Sequence, residues 1–349
     1  MNKDLIVVTG GCGYIGSHTI IQLIESGFNV ISIDNFSRST KFAFEAIKQI
    51  TGVEVENINI DLTNLEDTSR VFSRLGLIYG VIHFAAYKSV PESIKFPEKY
   101  YSNNISTLLN VLSNCSKNNI KNFVFSSSCS VYGDIATLPV SEVTPVSEVK
   151  SPYAYTKIIG ERIVKDICNA KSMNAFCLRY FNPIGAHPSG LIGEIPIVKP
   201  DNLAPVITQT AIGKRKSMQV YGGNLDTRDG SCVRDYVHVM DIANAHVLAL
   251  EKLDNSNNIF EVINLGTGQG VTVFEAIEAF EKISGIKLPY VISGPRPGDA
   301  IEIFSNVEKA KNILGWYPKL NIFDMMSSAW KWELELSKSN KQYPKLNLE

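Results

Sequence analysis

The stretch Thr9-Gly10-Gly11-Cys12-Gly13-Tyr14-Ile15-Gly16 decides the fold of this chain. It follows a β-branched run, Leu5–Thr9, and opens a segment, Tyr14–Ser26, whose Ile20, Leu23 and Ile24 make an apolar helical stripe that Gly27 can end. Gly10, Gly13 and Gly16 give G-x-x-G-x-x-G, one residue longer in the first gap than the G-x-G-x-x-G form. Such glycines permit a tight turn and let the backbone approach a pyrophosphate, which the N–H groups of the helix N-terminus then hold. A second apolar run, Ile31-Ser32-Ile33, ends in Asp34, 18 residues after Gly16. A carboxylate there accepts hydrogen bonds from ribose hydroxyls and repels a 2′-phosphate, so the pattern predicts NAD rather than NADP. Arg38 close by keeps NADP open as the alternative. Asp61 follows a third run at a position suited to the adenine, or to capping a helix over Thr63–Arg74.

Outward from this loop, strand-like and helix-like segments alternate through the first half. Short β-branched runs occur at Leu5–Thr9, Asn29–Ile33, Val55–Ile60, Gly80–Phe84, Asn122–Ser126 and Ala175–Phe181. Longer segments between them, including Pro97–Ser116 and Tyr153–Asn169, read as helices. This alternation predicts an α/β fold with a doubly wound parallel sheet, a Rossmann-like domain over residues 1–182. After about residue 182, prolines at 183, 188, 196, 200 and 205 punctuate a loop-rich stretch. A smaller α/β substrate domain is expected over 183–349, with a helix at Val273–Ile283 and allowance for the chain to cross back. The near-repeat in Pro139–Lys150 reads as a loop rather than a repeat fold.

The 34 basic and 35 acidic residues balance to a net charge of -1, which points away from nucleic acid and anionic membranes as partners. Any phosphate must then be held by local groups. Six cysteines, at 12, 115, 129, 168, 177 and 232, show neither C-x-x-C nor zinc spacing, so no metal is expected. The first apolar run is too short for a signal-peptide core, and a cytoplasmic location is expected.

The reacting groups stand in two further stretches. Ser151-Pro152-Tyr153-Ala154-Tyr155-Thr156-Lys157 puts Tyr153 and Lys157 four residues apart, on one face of a helix. An ammonium near a phenol favours the phenolate, so Lys157 is expected to lower the Tyr153 pKa and make it a proton acceptor for a hydroxyl. Phe125-Ser126-Ser127-Ser128-Cys129-Ser130-Val131-Tyr132-Gly133 lies at the C-terminal end of the fifth strand, where open α/β sheets bind ligands. A hydroxyl there can bridge a substrate oxygen and the tyrosine.

With these residues in view, the chain resembles the extended short-chain dehydrogenase/reductases and, within them, the UDP-glucose 4-epimerase family. The resemblance runs through nearly the whole chain. It is carried by Thr9–Gly16, His83-Phe84-Ala85-Ala86, Phe125–Gly133, Tyr153–Lys157, Leu178-Arg179-Tyr180-Phe181-Asn182-Pro183, Gly185-Ala186-His187-Pro188, Val233-Arg234-Asp235-Tyr236 and Arg296-Pro297-Gly298-Asp299. The Arg-Tyr-Phe-Asn-Pro and Gly-Ala-His-Pro runs are the selective ones.

The resemblance implies Tyr153 as the acid/base, Lys157 as the holder of the nicotinamide ribose and Ser128 as the partner of the sugar O4. NAD would also be held by Gly10, Gly13, Tyr14, Ile15, Gly16, Asp34, Asn35, Ser37, Asp61, Leu62, Phe84, Ala85, Lys88, Asn103, Ser126 and Tyr180. Asn182, Asn202, Leu203, Tyr221, Arg234, Arg296, Asp299 and Ile303 would line the UDP-sugar site. The arginines suit a diphosphate, which needs fixed cationic donors.

The implied reaction is reversible epimerisation at C4 of UDP-glucose and UDP-galactose through a 4-keto sugar, as in galactose metabolism. A homodimer through Pro97–Ser116 and Tyr153–Asn169 is also implied. Cys12 fills a place usually taken by serine or alanine. Ile303 falls where relatives carry a bulky tyrosine or a small cysteine or serine, and it leaves N-acetylated UDP-hexoses open. A 4,6-dehydratase would need a carboxylate after Ser128, where Cys129 and Ser130 stand. A non-catalytic NAD-binding protein of this fold would be expected to have lost Tyr153 or Lys157.

Overall fold

Strand β1 (Leu5–Thr9) alternates its side chains between two apolar layers, and this alternation organises the molecule. Ile6 and Val8 point into one buried cluster, Val7 into another. The computed structural model describes residues 4–135, 137–146, 149–195, 200, 202–254, 258–295 and 300–338. After β1 come α1 (Tyr14–Glu25), β2 (Asn29–Ile33), α2 (Phe42–Thr51), β3 (Glu56–Ile58), α3 (Leu65–Arg74), β4 (Gly80–His83), α4 (Val90–Lys95), α5 (Pro97–Lys117), β5 (Asn122–Ser128), α6 (Pro152–Lys171) and β6 (Asn174–Tyr180). The chain continues through β7 (Asn182–Ile184), α7 (Leu203–Ala211), β8 (Met218–Tyr221), β9 (Val233–Arg234), β10 (Tyr236–His238), α8 (Val239–Asp254) and β11 (Phe260–Leu265). It closes with β12 (Val271–Thr272), α9 (Val273–Ser284), β13 (Tyr290–Ser293), β14 (Glu302–Ile303), α10 (Glu308–Leu314) and α11 (Ile322–Lys338).

Seven strands form one sheet in the order β11-β6-β5-β4-β1-β2-β3, and every pairing in it is parallel. The order reverses between β1 and β4, so a crevice opens there at the C-terminal strand ends. Helices α1, α2 and α8 cover one face, with Ile20, Leu23, Ile47 and Leu250 packed on the strands. Helices α3, α5 and α6 cover the other through Phe72, Leu108, Leu112 and Val164. Each such aliphatic or aromatic side chain, fully buried, contributes about 1.5–3 kcal/mol.

Several boundaries differ from the sequence reading. β3 is shorter than the expected Val55–Ile60 because it is an edge strand, paired only with Ile31–Ile33. Asn64, not Asp61, caps α3, accepting from the N–H groups of Glu66 and Asp67. α8 was not foreseen: it is buried nearly all round between α1 and the sheet, so it shows no polar stripe. From it the chain re-enters the large sheet as β11, beside β6.

The remaining strands pair as β10–β7, β12–β9–β14 and β13–β8. With α7, α9 and α11 they enclose a separate cluster around Ile207, Met218, Phe280 and Met326.

Candidate active site

The glycine loop lies at the crevice. Gly10 has φ +71°, and a side chain on it would put Cβ 2.8 Å from the Ala85 backbone nitrogen. An added Cβ on Gly16 would collide with the Gly10 carbonyl oxygen. Gly13 starts α1 with no side-chain cap, and the first turn of α1 carries no acidic residue. The loop thus offers a bare, positively polarised helix end, as a pyrophosphate needs. Asp34 sits beside it, its carboxylate accepting from the Cys12 N–H (3.0 Å), the Phe36 N–H (2.8 Å) and the Ser39 hydroxyl (2.8 Å). These bonds aim the carboxylate across the glycine loop.

Arg38, which had kept NADP open, is engaged by an acidic partner. Its guanidinium donates to Glu92 at 2.5 Å and lies 5.0 Å over the Tyr87 ring. Asp61 accepts from the Thr63 N–H and hydroxyl at 2.9 and 2.8 Å, while Asn110 holds the Leu62 and Thr63 carbonyls. Asn35 accepts from the Ser37 N–H at 3.0 Å. Phe84 leads out of β4 against the His246 ring, centroids 4.8 Å apart. These residues fit a dinucleotide laid across the strand ends.

The residues expected to react converge at the ends of β5 and β6. The Lys157 ammonium donates to the Ser126 carbonyl at 2.6 Å and lies 5.0 Å over the Phe125 ring and 5.8 Å over the Tyr153 ring. Ser128 stands beside the Tyr153 phenol and accepts from the Ser130 N–H at 3.2 Å. Tyr180 lies near Ser126, and its hydroxyl is 2.6 Å from His246 Nε2. Ser126, Ser128, Tyr153, Lys157 and Tyr180 therefore share one site.

The electrostatics differ from the sequence expectation. Burial pushes the Tyr153 phenol up to about 12, and the neighbouring Ser128 hydroxyl, not Lys157, opposes it. Burial also lowers Lys157 to about 8, partly offset by Glu161. Desolvation outweighs the expected ammonium–phenol effect because Lys157 faces the ring and spends its hydrogen bond on Ser126.

On the substrate side, Asn182 opens β7, and its Oδ1, like the Ser130 hydroxyl, is buried with no partner among the described residues. Arg234 donates to the Val233 carbonyl at 2.9 Å, and its charge reaches Cys129. Ile303 pairs in register with Arg234 and packs with Val131, Tyr132, Val140 and Phe181. Leu203 opens α7, next to Asn202. Tyr221, at the end of β8, donates to Gln219 at 2.8 Å. Asn103 donates to Asn104 at 3.0 Å. Arg296 and Asp299 lie outside the described residues.

Two acidic residues escaped the sequence reading. Glu194 accepts from Lys88 at 3.1 Å and Asn202 at 2.7 Å, joining one expected cofactor residue to one expected substrate residue. Asp235 is fully buried and accepts from the Thr267, Gly268 and Ser305 N–H groups and from the hydroxyls of Thr267 and Ser305. It fixes the backbone beside Arg234. Its position within Val233-Arg234-Asp235-Tyr236 was the one available signal.

The NAD dependent epimerase/dehydratase family model matches residues 6–266. The UDP-glucose 4-epimerase of Dictyostelium discoideum is 45% identical over 331 residues, covering 95% of this chain and 96% of its own. A solved UDP-glucose-4-epimerase from Stenotrophomonas maltophila, with bound NAD and formylated UDP-arabinopyranose, superposes with a TM-score of 0.93 at 38% identity over 96% of this chain and 99% of that one. The UDP-glucose 4-epimerase of Bifidobacterium longum, in complex with NAD+ and UDP, gives 0.91 at 42% identity over 95% and 98%. The chain belongs to the NAD dependent epimerase/dehydratase family and, inside it, to the UDP-glucose 4-epimerases.

Proposed function

We propose that the protein interconverts UDP-glucose and UDP-galactose, with NAD as its resident cofactor and Tyr153 as the acid/base. The observation that carries the reading is the convergence of Ser128, Tyr153 and Lys157 at the strand ends beside the glycine loop. When bound, NAD would supply the redox chemistry at the sugar C4, as reversible hydride acceptor. Residues Gly10, Gly13 and Gly16 with the start of α1 hold its pyrophosphate, Asp34 its adenosine ribose, and Lys157 its nicotinamide ribose.

Tyr153 removes the proton from O4 and later restores it. Ser128 donates its one proton to the phenolate, lowering the cost of the charged tyrosine, and its oxygen can accept from the O4 hydroxyl. The buried Asn182 amide and Arg234 orient the UDP-hexose, with Asn202, Leu203, Tyr221, Arg296, Asp299 and Ile303 completing that side. The sugar-nucleotide side falls mainly in residues 183–349, apart from β11, which joins the large sheet, and α8 and α10, which pack with it.

The reading extends to a cytoplasmic homodimer. Six free thiols suit a reducing compartment. Half-exposed Tyr155 on α6, in edge contact with Tyr101 on α5, supports pairing of these two helices with those of a second copy. The test is incubation of the purified protein with UDP-galactose and chromatographic separation of the products. UDP-glucose is expected; its absence with NAD bound overturns the reading. The same assay on UDP-N-acetylgalactosamine sets how much space Ile303 leaves.

A further inference from the structure

Three successive serines at the end of β5 meet three residues of α6 spaced four apart. The Ser126 carbonyl takes the Lys157 ammonium, Ser128 stands beside the Tyr153 phenol, and the Ser127 hydroxyl donates to Glu161 at 2.5 Å. Positions 153, 157 and 161 lie on one helix face. The first two are assigned to the chemistry; the third is not.

Glu161 is buried, at 8% exposure, and clamped from β6 by Arg179 at 4%. Arg179 Nε donates to one carboxylate oxygen at 2.8 Å and Nη2 to the other at 2.7 Å. The third guanidinium nitrogen donates to the Tyr132 hydroxyl at 2.9 Å, and that hydroxyl donates to Asn264 on β11 at 2.7 Å. A bidentate buried pair of this kind fixes orientation more than it adds stability.

We propose that Glu161 is a positioning residue for the reaction: held by Arg179 and Ser127, it sets the register of α6 against β5 and so places Tyr153 and Lys157. The proposal rests on the epimerase reading above. A second consequence concerns charge. Lys157 is faced by Tyr153 and Glu161 on α6, the Ser126 carbonyl and Phe125 ring on β5, Cys177 on β6 and His83 on β4. Burial keeps Cys177 a thiol and His83 neutral, and Tyr153 is an uncharged phenol at neutral pH. Glu161 is then the anion that favours the ammonium over the amine.

The test uses Glu161→Gln and the double variant Glu161→Met/Arg179→Met, which removes both buried charges together so that neither is left unpaired. Each is purified, its bound NAD is measured, and kcat and KM for UDP-galactose are followed against pH. The expected result is a kcat lowered about tenfold or more with KM within about twofold. The alkaline limb of the profile moves to lower pH by about half a unit or more, because losing an anion lets Lys157 deprotonate earlier. The shift is larger in Glu161→Gln, where Arg179 stays charged. A folded, NAD-loaded variant with wild-type kcat and alkaline limb overturns the proposal. If Glu161→Gln fails to fold, the double variant alone decides. An inactive wild-type protein would instead sink the epimerase reading.

Discussion

At the scale of single residues, the Tyr153 phenol, the proposed acid/base, is set by competition between burial and its Ser128 neighbour. The Tyr153 phenol is pushed up to about 12 by burial, and Ser128 is the group that pulls it back. A base working near neutrality then depends on every contact that favours the phenolate. Replacing Tyr153→Phe removes the proton acceptor without changing the shape of the site. Turnover is expected to fall by about 10²–10⁴-fold. NAD content and UDP-hexose affinity, measured by cofactor release and calorimetry, should stay near wild type. Undiminished turnover would strip Tyr153 of the role. The motif Y-x-x-x-K revealed both residues, because helical spacing is written in the sequence. The direction of the Tyr153 shift was not legible there, since desolvation depends on what the fold stacks around the ring.

At the scale of elements, α6 lies unusually close to β5. Gly160 sits between Lys157 and Glu161, and a Cβ there would lie 2.6 Å from Phe125 Cζ. The Phe125 ring is also the surface under the Lys157 ammonium. Gly160→Ala must push the helix and ring apart, although alanine is the better helix former. The expected cost is about 1–3 kcal/mol of stability, read as a lower denaturation midpoint at unchanged m-value. An unshifted midpoint would show that the contact yields freely. The strands around this contact were readable from the chain as continuous apolar runs. The glycine at 160 was not, because its partner is 35 positions away in sequence.

At the scale of the whole molecule, histidine protonation links the fold to pH. The chain has five histidines, and burial lowers the pKa of every one, His18 and His83 to about 3 and His238 and His246 to about 4. An unfolded histidine titrates near 6.5, so between roughly pH 6.5 and 4 the unfolded chain binds protons that the folded one refuses. This stability is present above about pH 6.5 and is lost as pH falls. The melting temperature should therefore drop from pH 7 to pH 5 across that window; a flat profile would contradict it. A titration of turnover between about pH 6.5 and 8 is therefore not expected from a histidine, and Lys157, lowered to about 8, is the group of the site closest to that window.

The local order of this protein is legible in its residues: the glycine loop, the alternating strands, Asp34 after the second run and the Tyr153–Lys157 pair. These depend on neighbours within a turn or a strand, where periodicity and backbone geometry act. Tertiary structure alone decided the rest. It returned α8 and β11 to the sheet, bound Arg38 to Glu92, joined Lys88 to Asn202 through Glu194, and set Glu161 on Arg179 behind the reacting groups. Each of these rests on a contact between distant segments. The energy of such a contact comes from desolvation and charge pairing, which exist only once the chain has closed around them.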